Sequence, residues 1–65
     1  MEVIINNVKH VFPDGCTLEQ VIGQRRLNSI IQIRVNGEII PVSSCKDVRL
    51  KEGDRVKTKR IAHMT

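Results

Sequence analysis

The stretch IIQIRVNGEIIP, residues 30–41, carries the strongest fold signal in the chain. Its first half is rich in β-branched residues and alternates apolar with polar side chains, which predicts a half-buried strand. The set expected to face the core is Ile31, Ile33 and Val35, and the set expected to face outward is Gln32 and Arg34. Asn36-Gly37 favours a tight hairpin turn, and Pro41 ends the returning strand because proline cannot donate a ladder hydrogen bond.

A second hairpin is predicted at the start of the chain, from residues 2–6 and 8–12. Asn6-Asn7 between these runs can adopt the left-handed conformations that a tight turn needs. In the second run the more apolar face carries Val8, His10 and Phe12. The sequence Pro-Asp-Gly at residues 13–15 is turn chemistry and ends this strand.

A short helix is predicted over residues 18–26. Thr17 and Gln20 have the spacing of a capping box, in which each side chain satisfies the other residue's backbone amide. Leu18, Val21 and Ile22 recur at helical spacing. Gly23 weakens the middle of this helix, and Leu27 is expected to close its apolar face.

The remaining residues predict an irregular segment with one short helical turn over residues 42–49, an anchor at Leu50, a turn at residues 51–54 and a last strand at residues 55–61. The element order is therefore β-β-α-β-β-β. That order indicates an α+β, β-grasp (ubiquitin-like) domain, with a mixed sheet of four to five strands packed on one short helix. At 65 residues the chain is expected to form a single domain, residues 1–65.

Composition limits the classes of function. Hydrophobic residues make up 40% of the chain and aromatic residues only 2%, so the core is expected to be aliphatic. No apolar run approaches the length of a membrane span and no secretory signal is visible, which predicts a cytoplasmic protein, expected to be a monomer. Cys16 and Cys45 lack CxxC spacing and are predicted to be free thiols. We expect no metal, no cofactor and no catalytic residue, and we interpret His10 as a strand residue.

Basic residues are concentrated in the last strand of this chain, whose formal net charge is +4. Arg55, Lys57 and Lys59 alternate onto one face with Arg60 beside them, and Arg49 and Lys51 are expected nearby. Such a patch attracts anionic partners, either an acidic protein surface or RNA. The alternative is a solvated outer face whose lysines guard against aggregation. Single-strand binding of the base-stacking kind is disfavoured because the aromatic side chains are missing.

Residues 15–22, 35–41 and 50–56, together with the opening hairpin, resemble the sulfur-carrier proteins of thiamine and molybdopterin synthesis, ThiS and MoaD. The resemblance covers nearly the whole chain, and it is closer to ThiS because the segment between helix and third strand is short. It implies a protein of thiamine or related cofactor biosynthesis that binds an adenylating (ThiF/MoeB-like) enzyme and a thiazole synthase. It also implies a C-terminal Gly-Gly tail that carries sulfur as a thiocarboxylate.

The chain departs from the family at that tail, because Met64 and Thr65 stand where the two glycines are expected. Three interpretations remain open. The natural chain continues beyond these residues, or the protein is a relative that kept the binding surface without the carrier chemistry, or it is a carrier with an unusual tail. The alternative family is the TGS-like domain, another β-grasp module, which shares the residues at 35–41 and 53–56. An enzyme is the weakest hypothesis.

Overall fold

The computed structural model describes residues 1–60, apart from the side chains of residues 24 and 25. Its elements follow the predicted order. They are β1 (Glu2–Ile5), β2 (Val8–Val11), α1 (Leu18–Ile22), α2 (Gln24–Leu27), β3 (Ile30–Val35), β4 (Glu38–Ile40), the 3₁₀-helix α3 (Val42–Asp47) and β5 (Arg55–Arg60). The predicted continuation of the last strand to Ile61 lies outside the described residues.

The five strands form one mixed sheet in the order β2-β1-β5-β3-β4. β1 and β5 run parallel, and the other neighbouring pairs are antiparallel. The two predicted hairpins are confirmed, with Asn6, Asn7, Asn36 and Gly37 all at positive φ in their turns. Because β5 is inserted between the two hairpins, its inward side chain Val56 is fully buried.

The core lies between this sheet and the helical segments. Helix α1 buries Leu18, Val21 and Ile22, the three residues that the helical spacing identified. They pack against strand residues that include Val3 and Ile33, and against Leu50, the predicted anchor. The predicted aliphatic core is therefore confirmed, and the helices cover only one face of the sheet.

The predicted side-chain orientation of β3 is wrong at the first two residues of the strand. Ile33 is fully buried as expected, but Ile30 is 7% exposed and Ile31 is 56% exposed, the reverse of the predicted alternation. The register explains the reversal: Ile30 pairs with Arg60 and Gln32 with Lys59, so β3 has one more residue than β5 between these pairs. Ile31 is the extra residue of a β-bulge, which shifts the side-chain alternation by one position.

The predicted continuous helix over residues 18–26 is interrupted at Gly23. The capping box is confirmed: Gln20 N donates to Thr17 Oγ1 at 3.2 Å, and Thr17 N donates to Gln20 Oε1 at 2.9 Å. Gly23 has φ +90° and ψ 135°, which no helix accommodates, and its N–H closes α1 by donating to Glu19 O. A positive φ is easily reached only without a Cβ, so the glycine ends α1 and a separate turn, α2, follows.

A buried carboxylate joins the two turns that the family resemblance singled out. Asp54 Oδ2 accepts from Lys51 N at 2.8 Å, and Asp54 Oδ1 accepts from Asn36 Nδ2 at 3.0 Å. Asn36 Oδ1 in turn accepts from Arg55 N at 3.0 Å. The Asn-Gly and Gly-Asp pieces of the sequence therefore contact each other directly, and their role here is to hold the β3–β4 hairpin against the turn before β5.

Candidate functional site

The strongest candidate site is the sheet face that the helices leave uncovered. On β5 the exposed side chains Arg55, Lys57 and Lys59 alternate with the buried Val56. Since Val56 packs into the core on the helix side, the three cations lie on the opposite side. The strand geometry therefore places these three residues on one face of the sheet, as the alternation in the sequence predicted.

Strand β3 adds a fourth cation to this surface. Arg34 pairs with Lys57, and Gln32 pairs with Lys59, so these side chains share a face. Together with Thr58 they line a shallow depression of about 300 Å³. Sequence reasoning placed Arg34 on the outward face of its own strand but did not join it to the β5 cations, because only the strand register brings the two together.

Apolar side chains border the cations on the same face. Ile39 pairs with Arg34 across the β3–β4 hairpin and is 56% exposed, and the half-buried Ile4 pairs with Arg55 across β1 and β5. We call this surface the open face. It comprises Ile4, Arg34, Ile39, Arg55, Lys57 and Lys59. A surface that combines exposed aliphatic side chains with cations suits a protein partner, because both kinds of contact recur in protein interfaces.

The charge of the open face is not neutralised by the acidic residues that the structure describes. Among residues 1–60 the ion pairs join the Met1 amine to Asp14 at 3.1 Å and Lys9 to Glu2 at 3.8 Å. Neither pair involves a cation of the open face. This face therefore presents a positive potential to an approaching partner.

Arg60, the fourth member of the predicted basic patch, lies elsewhere. It follows Lys59 along β5 and therefore points to the other face of the sheet, where it lines a groove with the helix residues Val21 and Ile22. Arg49 had the same expected location. Its backbone instead forms an isolated antiparallel β-bridge with Thr17, the residue that caps α1. The patch as predicted from sequence is thus divided between two faces by the two-residue period of the strand.

The two cysteines are free, as predicted, and they differ in exposure. Cys45 is 1% exposed, with its Sγ 3.8 Å from Pro41 O. Burial raises the pKa of the Cys45 thiol, and the negative charge of Glu19 raises it further. Cys16 is half-buried. A buried thiol with a raised pKa is a poor nucleophile, so Cys45 acts as a core residue.

The rates of alkylation are expected to distinguish the two thiols. With iodoacetamide at pH 8 we expect Cys45 to react at least about tenfold more slowly than Cys16, because its thiolate is both disfavoured and buried. The rates are measured by mass spectrometry on the Cys16→Ser and Cys45→Ser variants, each of which retains one thiol. In guanidinium chloride the two rates should converge. Equal rates in the folded proteins would contradict the burial of Cys45.

Other candidate chemistry is limited. Within residues 1–60 no three His, Cys, Asp or Glu side chains lie close enough together to hold a metal ion. No helix in that range has both the length and the apolar composition needed to cross a bilayer. His10 is exposed on β2, and its ring stacks on Phe12 with ring centroids 6.1 Å apart. The candidate tail residues Met64 and Thr65 lie outside the described residues.

Comparison with known proteins shows a likeness in structure. No protein-family model and no curated protein sequence matches the chain. Among solved structures, the chain is similar to the thiamine biosynthesis protein ThiS from Geobacter metallireducens, with a TM-score of 0.78 at 13% identity over 100% of both chains. The agreement of the two folds over their full lengths confirms the predicted resemblance in architecture.

At 13% identity the likeness concerns architecture, and it agrees with the strand order, the turns and the capped helix that the sequence predicted. The chain therefore has a ThiS-like β-grasp fold, a five-stranded mixed sheet with its helices on one face and a basic, partly apolar surface on the other.

Proposed function

We propose that this chain is a sulfur-carrier-type binding protein that docks on partner enzymes through its open face. It has no active site of its own in this proposal, and its expected location is the cytoplasm. The observation that supports the proposal most is the row of cations on β3 and β5 bordered by Ile4 and Ile39. On a fold shared with ThiS, such a face offers area for burial and charge for steering.

The partners proposed are an adenylating (ThiF/MoeB-like) enzyme and a thiazole synthase, the classes that the family resemblance implies. An acidic, partly apolar surface on such an enzyme would complement the open face in both charge and apolar area. The proposed role of the open face is to bind these partners, and it does not depend on the residues that follow β5.

Charge reversal on the open face tests this proposal. Lys57→Glu combined with Lys59→Glu is expected to weaken binding to the adenylating enzyme of the same genome by about tenfold or more at low salt, because the steering charge is inverted. The difference should shrink as salt screens the interaction. Stability should change by less than about 0.5 kcal/mol, since both side chains are exposed. Isothermal titration calorimetry measures the binding and urea unfolding measures the stability.

The matched control is Lys46→Glu combined with Arg49→Glu, which changes the net charge equally but alters one residue on α3 and one in the segment after α3 that pairs with Thr17. We expect this control to bind within about twofold of the unmodified protein. Equal weakening in both double variants would mean that net charge alone governs binding. Unchanged binding by the Lys57/Lys59 variant at low salt would overturn the role of the open face.

The second candidate is a TGS-like module that binds RNA through the same cations. The observation that favours it is the alignment of Arg34 with Lys57 and of Gln32 with Lys59, a row that phosphates can follow. Against it, the open face has no aromatic side chain on which bases could stack. Titration of a single-stranded RNA oligonucleotide at several salt concentrations distinguishes the two candidates, because phosphate binding falls steeply with salt.

A further inference from the structure

A groove lies on the helix side of the sheet, away from the open face. It has a volume of about 400 Å³ and exists because α1 and α2 are too short to cover β1 and β2 completely. Its inner surface includes the buried side chains of Val21, Ile22 and Ile30. This volume falls at the small end of the range found for sites that bind small molecules.

Cations from separate elements line this groove. Arg26 comes from α2 and Arg60 from the end of β5, and the imidazole ring of His10 on β2 belongs to the same lining. No acidic side chain lines it among the described residues, and neither arginine appears in the ion pairs of residues 1–60. Guanidinium groups bind phosphates and carboxylates with paired hydrogen bonds, so two of them at one groove favour an anion.

The remaining walls are apolar or already hydrogen-bonded. Phe12, the one phenylalanine of the chain, is half-buried in the groove and stacks with His10. On the polar side, Asn6 is fixed by two bonds to Thr58: its Nδ2 donates to Thr58 Oγ1, and its Oδ1 accepts from Thr58 N, both at 3.0 Å. A ligand would therefore meet a preformed lining that combines an aromatic ring with two guanidinium groups.

From this arrangement we propose that the groove binds a small aromatic anion, with its phosphate or carboxylate between Arg26 and Arg60 and its ring against Phe12. The site is separate from the open face and independent of the partner proposed above. It gives this small protein a place to hold a ring-bearing phosphomonoester or carboxylate, in addition to a protein partner.

The test is a titration of the full chain with phenyl phosphate, followed by ¹H–¹⁵N NMR. We expect saturable shifts at Val21, Ile22 and Thr58, with Kd of about 1 mM or tighter, in line with the affinity that a ligand of this size can reach. Phenylacetate replaces phenyl phosphate in a second arm, and the tighter of the two identifies the preferred anionic group. Inorganic phosphate and benzyl alcohol should bind at least about tenfold more weakly, because inorganic phosphate lacks the ring and benzyl alcohol lacks the anionic group.

Substitutions in the groove and on the open face test where phenyl phosphate binds. Arg26→Gln and Arg60→Gln should each weaken phenyl phosphate binding by about tenfold, the low end for loss of a charge-assisted hydrogen bond. Lys57→Gln on the open face is the matched control and should leave Kd unchanged. Phe12→Leu keeps an apolar side chain but removes the ring, so it should weaken phenyl phosphate binding and leave inorganic phosphate binding unchanged. Equal weakening by Lys57→Gln, equal binding of inorganic phosphate, or shifts confined to the open face would overturn the proposal.

Discussion

Replacing Ile33 with alanine is expected to lower the free energy of unfolding by about 2–5 kcal/mol, the range for truncating a buried isoleucine. Ile33 is fully buried, in the same core cluster as Val3, Leu18 and Val56. The truncation removes apolar contacts and leaves a cavity between the sheet and α1. In a domain of 65 residues that loss is a large share of the total stability.

The measurement is urea unfolding followed by far-ultraviolet circular dichroism, since the chain has no Trp or Tyr to report by fluorescence. Ile31→Ala is the matched control, because it makes the same chemical change two residues away on the same strand. Ile31 is 56% exposed at the bulge, so we expect a loss of less than about 1 kcal/mol there. A loss under 1 kcal/mol for Ile33→Ala, or a larger loss for Ile31→Ala, would contradict the register of β3.

Replacing Asp54 with alanine is expected to destabilise the protein by about 2–3 kcal/mol. The carboxylate accepts hydrogen bonds from Lys51 N and Asn36 Nδ2 at a position that is 7% exposed. Its removal deletes two hydrogen bonds to a charged acceptor, and a hydrogen bond to a charged group contributes about 1.5–3 kcal/mol. It also disconnects the β3–β4 hairpin from the turn that precedes β5.

The control for this change is Asp47→Ala, which removes an exposed carboxylate at the end of α3 and should cost less than about 0.5 kcal/mol. Amide hydrogen exchange provides a second measurement. In Asp54→Ala, exchange should accelerate at Asn36 and Lys51 before it accelerates in the core, because the two turns lose their connection locally. Equal stabilities of the two variants would show that the hydrogen bonds of Asp54 contribute nothing net.

The order of the elements was predictable because its signals are local. The β-branched run before Asn36-Gly37, the Asn6-Asn7 turn and the Thr17/Gln20 capping box each depend on residues adjacent in the chain. The structure has all three where they were predicted. The likeness to ThiS was likewise visible in short motifs, and the Asp54–Asn36 contact explains why two of those motifs occur together.

The candidate site was predictable only in part, for a reason that Arg34 and Arg60 illustrate. Period-two alternation placed Arg55, Lys57 and Lys59 on one face, but it also sends Arg60 to the other face. Arg34 joins the open face because β3 pairs with β5, and no signal within either strand specifies that pairing. The groove lined by Arg26 and Arg60 also depends on where α2 and β5 lie in the fold.

The sequence by itself determined the β-β-α-β-β-β order, the turns, the helix cap and the aliphatic core, since propensity, turn chemistry and periodicity act over a few residues. The tertiary structure decided the order of strands in the sheet, the bulge at Ile31, the break at Gly23 and the separation of Arg60 from the open face. These features depend on contacts between residues far apart in the chain, and the side-chain facing of a strand changes completely with a shift of one residue in register. For that reason local sequence patterns predict the order of the elements, whereas the tertiary structure decides which residues form the open face and which form the groove.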